Sequence, residues 1–361
     1  MLSSVEIRHF RTFSHLVIER LGQINLIVGK NNVGKTCLLE ALRLYDAAGA
    51  PHVIESLLLA RNEVRIDRER ECATPMLDML FHKSPQLGAQ STFGIGPYER
   101  SDNEGEWLFI SMHDIRRVPT DGPVPKSGEA VCAESISINF RDETIGIRCD
   151  EFLSRKDSSR PTLKDPPFIP AAPLSEDVVG RWWDAIVLTE LKDEVIEALQ
   201  LIDPSVLDVA FATHPLDPYR RVAMVRTSCI AGPFPLRSLG DGVVRIFNLA
   251  VALQYCGVNP LLGYAGRILL IDEIENGIHH SAHSTLWRML FGLARTNDVQ
   301  IVATTHSLDC LRGFAEAVTE DDENDGVAIR LEKVEGEEQT GAVIIDREGL
   351  PIVVRDSIEV R

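Results

Sequence analysis

Eight consecutive residues carry the sharpest chemical signal in the chain. Gly29-Lys30-Asn31-Asn32-Val33-Gly34-Lys35-Thr36 fills the pattern G-x-x-x-x-G-K-[ST] at every position. Its glycines let the backbone curl, so that successive N–H groups converge into a nest for an anion. A helix starting near Gly34 aims its positive end at the same charge. Lys35 supplies a mobile cation for β- and γ-phosphate oxygens, and the Thr36 hydroxyl is a hard oxygen donor for Mg²⁺. A glycine turn with a chance lysine would need no particular flanks. Here the apolar run Ile24–Val28 precedes the loop, and Leu38, Leu39, Ala41, Leu42 and Tyr45 follow it at helical spacing. The segment is therefore read as a nucleoside-triphosphate loop, with a nucleotide-binding set running from Gly29 to Cys37. The Cys37 side chain itself is read as a small buried group rather than a redox switch.

A phosphate loop needs a carboxylate on a neighbouring strand to hold the metal. Ile268-Leu269-Leu270-Ile271-Asp272-Glu273 provides four apolar residues and then two acids at the strand's carboxyl end, where α/β proteins place their ligands. Asp272 is assigned to Mg²⁺ together with Thr36, and Glu273 to the attacking water as general base. Ile301-Val302-Ala303-Thr304-Thr305-His306-Ser307 ends another apolar strand in polar residues, and His306 there is placed to sense the γ-phosphate or orient the water. Between these segments lies Leu236-Arg237-Ser238-Leu239-Gly240-Asp241-Gly242, followed by an apolar helix. In this segment, Ser238-Leu239-Gly240-Asp241-Gly242, the serine and the glycine N–H groups at the helix start form a second anion-binding surface. One chain already has one phosphate loop, so the economical reading gives this surface to the nucleotide of a second copy, in a two-fold dimer.

Composition sets the frame for this chemistry. The chain has 361 residues, 44% of them hydrophobic and 25% charged, which suits a globular protein with a sizeable core. Lys plus Arg number 37 against 54 for Asp plus Glu, a formal charge of −17, which gives no support to wrapping nucleic acid unless a local basic patch is hidden within it. Seven scattered cysteines without a C-x-x-C point to reduced thiols and a cytoplasmic location. No apolar run reaches the roughly 18 residues of a membrane span. The first residues also lack the pattern of a secretory signal.

The elements that must position the site alternate at both ends of the chain. A strand pair at Val5–Ile7 and Leu16–Ile18 precedes the strand–loop–helix of the phosphate site. Residues 46–90 read as mostly helical, 91–150 as short β segments, 155–173 as an exposed Pro-rich loop, 181–202 as helical and 221–227 as a strand. Then come a helix (242–255), a strand (267–271), a helix (280–296), a strand (299–304), a helix (307–317) and short closing strands. Residues 316–325 read as a solvated acidic loop. The expected fold is α/β, with a mainly parallel core sheet, an antiparallel β subdomain and a mixed insertion. The chain is expected to be a single composite domain, 1–361, with a core lobe from 1–45 plus 236–361 and an inserted lobe at 46–235. No heptad run is sustained, which excludes a long coiled coil.

In order, GKNNVGKT, SLGDG, ILLIDE and TTHS resemble the Walker A, signature, Walker B and switch-histidine motifs of ABC-type ATPase heads. The branch is that of the RecF/SMC/OLD ATPases. Ile7-Arg8-His9-Phe10-Arg11-Thr12-Phe13 leading into the phosphate loop is similar to their opening, and Asp272-Glu273-Ile274-Glu275-Asn276-Gly277-Ile278-His279 resembles the Walker B and D-loop of OLD-like members. The resemblance covers the two ends of the chain, about half its length, and implies a P-loop NTPase fold, ATP and Mg²⁺, and Mg-dependent hydrolysis. It also implies a homodimer or higher homo-oligomer with Asn276 at the interface, and Arg8 or Arg11 touching the nucleotide. The signature reads SLGDG rather than LSGGQ, which fits the OLD-like branch better than transporters. Gln86 and Gln90 are the candidates for the Q-loop glutamine. Asp346-Arg347-Glu348-Gly349 does not match the nuclease constellation of full OLD proteins, so the likeness is to stand-alone OLD-like ATPases. Many of these act in antiphage defence beside a separate toxin or nuclease. A RecF-like ATPase that binds duplex DNA, and a non-hydrolysing ATP-bound scaffold for a partner, are the alternatives.

Two other constellations compete for attention. His279, His280 and His283 would sit together at a helix start, but no cysteine or carboxylate completes a metal's four-fold geometry. Trp182-Trp183 in a helical segment reads as core or interface rather than as a stacking surface for bases.

Overall fold

The computed structural model describes residues 1–67, 72–83, 91–98, 106–117, 131–148, 167–258, 267–334 and 339–355. Strands β1 (Val5–Phe10), β2 (Phe13–Ile18) and β3 (Ile24–Val28) lead into helices α1 (Lys35–Asp46) and α2 (Pro51–Ala60). Next come β4 (Val64–Asp67), β5 (Cys72–Pro75), β6 (Ser91–Gly96), β7 (Leu108–Arg117), β8 (Val131–Phe140), β9 (Glu143–Arg148) and β10 (Phe168–Ile169). Helices α3 (Glu176–Ile186) and α4 (Leu191–Gln200) precede β11 (Val206–His214), β12 (Asp217–Thr227) and β13 (Phe234–Pro235). The last part runs α5 (Asp241–Val258), β14 (Ile268–Ile271), α6 (His283–Asn297), β15 (Gln300–Thr304), α7 (Leu308–Glu320), β16 (Gly326–Lys333), β17 (Thr340–Ile345) and α8 (Leu350–Arg355).

Continuous burial identifies the central sheet. Every residue of β3, β14 and β15 is buried, as parallel strands covered on both faces must be. Their order is β10-β14-β15-β3-β16-β17, parallel throughout except for the antiparallel edge strand β17. Alternation along each strand divides the core in two. Ile24, Leu26 and Val28 of β3, with Leu269 and Ile271 of β14, face the side covered by α3–α7. Ile27, Ile268 and Leu270 face α1, α2 and the second sheet. That sheet is antiparallel, ordered β2-β1-β6-β7-β8-β9, so β1 joins the edge strand β2 to β6 from the middle of the chain.

The last third follows the expected alternation. Helix α5 is apolar around nearly its whole circumference because α3, α4, α6 and the sheet surround it. Helices α6 and α7 pack through Trp287 and Phe314, whose ring centroids lie 4.9 Å apart. Trp183 is buried 5.5 Å from Phe247, and the partly buried Trp182 stacks on Tyr255, so one indole is core and the other packs against it.

Four expectations are corrected. Among the described residues of 46–90, the α-helix stops with α2: Asn62 turns into the left-handed region (φ 56°), and β4, β5 and a short 3₁₀ turn at Leu77–Leu80 follow. The Pro-rich segment 155–173 is not all exposed loop, because Phe168–Ile169 joins β14 as an edge strand with Ile169 fully buried. Two apolar residues are too few to show a period. Strand β11 pairs along β12 in a hairpin not foreseen from sequence. Residues 316–320 belong to α7 rather than a loop, and Glu320, Asp321 and Glu323 pair with Arg288 and Arg295 of α6. Gln86 and Gln90 lie outside the described residues.

Candidate functional site

The site forms where three parallel strands end side by side. In register, Ile271 of β14 faces Ala303 of β15, and Thr304 faces Ile27 of β3. Asp272, Thr304 and the Gly29 turn therefore emerge at one sheet edge, the carboxyl end expected for ligands. Gly29 (φ 144°) and Gly34 (φ 105°) hold the loop in backbone conformations that suit glycine. A Cβ on Gly29 would lie 2.4 Å from the Leu331 carbonyl oxygen, and one on Gly34 would lie 2.6 Å from the Phe13 ring. The glycines thus serve close packing as well as curvature.

Lys35 is buried at the start of α1, and its Nζ donates to the carbonyls of Gly29 (2.5 Å) and Lys30 (3.0 Å). Burial lowers its pKa, opposed by the nearby charges of Asp272, Glu273 and Glu275. Thr36 Oγ1 donates to Asp272 Oδ2 at 3.2 Å. The two oxygens are hard donors at one point on an open edge, a combination that fits Mg²⁺, which takes one or two protein ligands and keeps several waters. Lys30, Asn31 and Asn32 are exposed on the loop, and Val33 is buried beneath it. The Cys37 side chain turns into the core, where burial raises its pKa and Arg61 donates to its sulfur.

The acid pair is held from several directions. Thr304 Oγ1 donates to Asp272 Oδ1 at 2.6 Å and accepts the Glu273 N–H at 2.9 Å. Glu273 has φ 47°, a left-handed conformation that costs a non-glycine residue about 1–3 kcal/mol and persists only where neighbours impose it. Its Oε1 lies 3.6 Å from His306 Nε2. The His306 N–H donates to Glu275 Oε1 at 2.8 Å. Asn31, Glu273, Glu275 and His306 line one open cavity of about 560 Å³, so a residue of the phosphate loop, two acids and the histidine share one space.

The remaining candidates sit around this centre. Leu236–Leu239 form a 3₁₀ turn, Ser238 is exposed, and Gly240 (φ 103°) leads into α5 at Asp241. This segment does not line the cavity of its own chain. Gly242 packs against the turn after Glu275: a Cβ there would lie 2.9 Å from Gly277 O. Asn276, exposed on that turn, donates to Ala171 O at 2.7 Å. Arg11 corrects the resemblance, because it does not reach the loop: it is buried between Glu40 (2.7 Å) and Glu63 (2.9 Å). Arg8 pairs with Glu6 and lies over Trp107. Among the described residues no cluster of three or more His, Cys, Asp or Glu side chains is placed to hold a metal, and His279 accepts the Ser281 N–H.

Three site residues escaped the sequence reading. Thr304 was legible as a polar strand end beside Asp272. Glu275 was legible as an acid two residues past Glu273. Arg245 was legible as a lone cation in the apolar helix 242–255, which signals a buried partner.

Comparison with known proteins agrees with this geometry. Residues 1–74 match the family model "AAA ATPase domain", and residues 228–311 match "AAA domain, putative AbiEii toxin, Type IV TA system". An ATP/GTP phosphatase of Helicobacter pylori is 21% identical over 355 residues, covering 89% of this chain and 90% of its own. An uncharacterized protein of Methanocaldococcus jannaschii is 48% identical over 48 residues, 13% of this chain and 22% of its own. Among solved structures, an SMC head bound to the C-winged helix domain of ScpA aligns over 96% of this chain and 98% of its own, with TM-score 0.51 and 14% identity. An SMC head with an extended coiled coil, bound to the C-terminal domain of ScpA derived from Pyrococcus furiosus, aligns over 99% of both chains with TM-score 0.50 and 10% identity. Fold, motif order and these matches support one class: an ABC-type ATPase of the SMC/OLD-like branch. Among the described residues no helix is long and apolar enough to cross a membrane.

Proposed function

We propose that this chain is a nucleotide-driven switch that binds Mg-ATP at Gly29–Thr36, pairs with a second copy around it, hydrolyses it and thereby controls a separate effector protein. The observation that carries the reading is the convergence of Asn31, Glu273, Glu275 and His306 on one cavity at the phosphate-loop edge. Lys35 and the loop N–H groups bind the triphosphate, while Thr36 and Asp272 hold the metal. When bound, Mg²⁺ neutralises charge on the phosphate oxygens. Glu273 takes the proton of the attacking water, and His306 orients the carboxylate and the γ-phosphate end. Ser238, Gly240 and Asp241 of the signature segment are exposed and outside their own cavity, as residues that complete the partner's site would be.

The pairing surface follows from the same geometry. Asn276 stands exposed between the acid pair and the signature helix, which suits a D-loop at the interface. The SMC heads bind ScpA, a precedent for a head of this fold working on another protein. A family model named for a toxin–antitoxin system supports a toxin or nuclease as that partner, and a role in antiphage defence. The charge of −17 weighs against the duplex-DNA alternative. We read the chain as one composite domain, residing in the cytoplasm.

The test is Glu273→Gln in the full chain. Phosphate release should fall by about 10²–10⁴, the usual weight of a general base, while an ATP-bound dimer accumulates. Unchanged turnover removes Glu273 from its role, and a variant that stays monomeric with ATP removes the switch.

A further inference from the structure

Helix α5 carries a single basic residue, Arg245, and it is buried at 8% exposure. Among the described residues it forms no ion pair. One Nη donates to Pro170 O at 2.8 Å, and the other to Asp272 O at 2.8 Å and Glu273 O at 3.0 Å. Burial lowers its pKa to about 10, although Glu275, Asp272 and Glu273 all favour the charged form. A leucine or methionine would fill this position in an apolar helix without that desolvation penalty. What only the planar fork supplies is a simultaneous hold on three carbonyls from one rigid group.

The grip falls on the strained residue of the site. Glu273 is held in the left-handed region with its N–H on Thr304 and its carbonyl on Arg245, so both of its peptide planes are fixed. The first clamp comes from the neighbouring strand. The second comes from α5, whose first two residues, Asp241 and Gly242, close the signature segment. That end of α5 also touches the loop beyond the acids, since Gly242 abuts Gly277 O. Arg245 lies three residues after Gly242, about 4.5 Å of helix rise, so a shift of the signature end is carried to the guanidinium almost undiminished.

We propose that Arg245 is a positioning residue for hydrolysis: through its bonds to the Asp272 and Glu273 carbonyls, the placement of the signature helix sets the aim of the Glu273 carboxylate. Engagement of Ser238–Gly242 by a second copy's nucleotide is thereby reported, within the same chain, to that chain's own general base. The proposal rests on the hydrolytic reading of Glu273 and adds the route by which pairing regulates it.

The experiment compares Arg245→Gln and Arg245→Lys in the full chain with Mg-ATP, alongside wild type and Glu273→Gln. Arg245→Gln should lower kcat at least about tenfold, as misaimed catalytic groups do, with the KM for ATP changed less than about twofold. Arg245→Lys should restore part of kcat, because an ammonium reaches a subset of the carbonyls. In wild type, turnover per chain should rise with protein concentration as pairs form, and Arg245→Gln should lose that rise while still pairing with ATP. Unchanged kcat in both variants overturns the proposal. So does a fall in which KM, melting temperature and kcat move together in both, since that marks simple loss of structure. If Arg245→Gln does not fold, the kcat-to-KM split in Arg245→Lys decides alone. Absence of hydrolysis by wild type, or full turnover by Glu273→Gln, refutes the site reading instead; turnover that needs Glu273 but ignores Arg245 refutes only this inference.

Discussion

The Thr304 hydroxyl donates to Asp272 Oδ1 at 2.6 Å and accepts the Glu273 N–H at 2.9 Å. One side chain on β15 thus fixes the Asp272 carboxylate and the Glu273 backbone together. Thr304→Val keeps the shape and removes both bonds. A charge-assisted hydrogen bond lost in a buried setting costs about 1.5–3 kcal/mol, so urea unfolding should show a loss of that size. Because the acids lose their alignment but the phosphate loop does not change, kcat should fall at least about tenfold with ATP affinity nearly intact. A variant that hydrolyses at the wild-type rate would show that Thr304 only fills space.

Lys35 carries the second prediction. Its ammonium rests on two loop carbonyls rather than a carboxylate, so its charge remains available to an incoming anion. Lys35→Ala should weaken ATP binding at least about tenfold, the equivalent of one charged hydrogen bond of about 1.5–3 kcal/mol. The melting temperature without nucleotide should stay close to wild type. Titration calorimetry checks both, and unaltered affinity would remove the phosphate-loop assignment.

What could be read from the sequence followed from local rules. Ile24–Val28, Ile268–Ile271 and Ile301–Thr304 are strands buried on both faces, so their apolar runs and polar ends located the site before any fold was known. The rest depended on tertiary pairing. Phe168–Ile169 becomes a strand only because β14 offers an open edge. Val64–Asp67 and Cys72–Pro75 form a hairpin where a helix was expected. Arg11 lies in a motif shared with nucleotide-binding heads, but its direction is set by Glu40 and Glu63, which lie 29 and 52 residues further along the chain.

Gly242 gives a test of the signature end that leaves the phosphate loop alone. In an open helix Gly→Ala stabilises by roughly 0.5–1 kcal/mol. Here the new Cβ would meet Gly277 O at 2.9 Å, a backbone atom that cannot turn aside. Gly242→Ala should therefore fail to stabilise and should push α5 from the Asn276–Gly277 turn. ATP-dependent pairing, followed by sedimentation in the Glu273→Gln background, should weaken while ATP binding to a single chain persists. Undiminished pairing would separate this contact from the dimer.

The buried charges behind α1 set a pH-dependent limit on stability. Arg11 lies 2.7 Å from Glu40 and 2.9 Å from Glu63, and Arg61 lies 2.7 Å from Glu40. Burial raises the Glu40 pKa, with Arg11 and then Arg61 opposing it. A carboxyl whose native pKa is raised binds its proton more tightly in the folded chain, so its contribution favours folding at low pH and is lost as pH rises through the native value. Arg11→Met removes the larger opposing charge and leaves Glu40 buried beside Arg61 alone. Breaking a buried pair from one side costs about 3–5 kcal/mol, which denaturant unfolding near neutral pH should register. The deficit should shrink as pH falls from about 8 to about 5, because the stranded carboxylate can then take up a proton. Arg11→Met with Glu40→Gln should recover part of the loss near neutral pH and flatten the pH dependence. A deficit that is constant across this range would mean that Arg11 stabilises through packing rather than through the charge on Glu40.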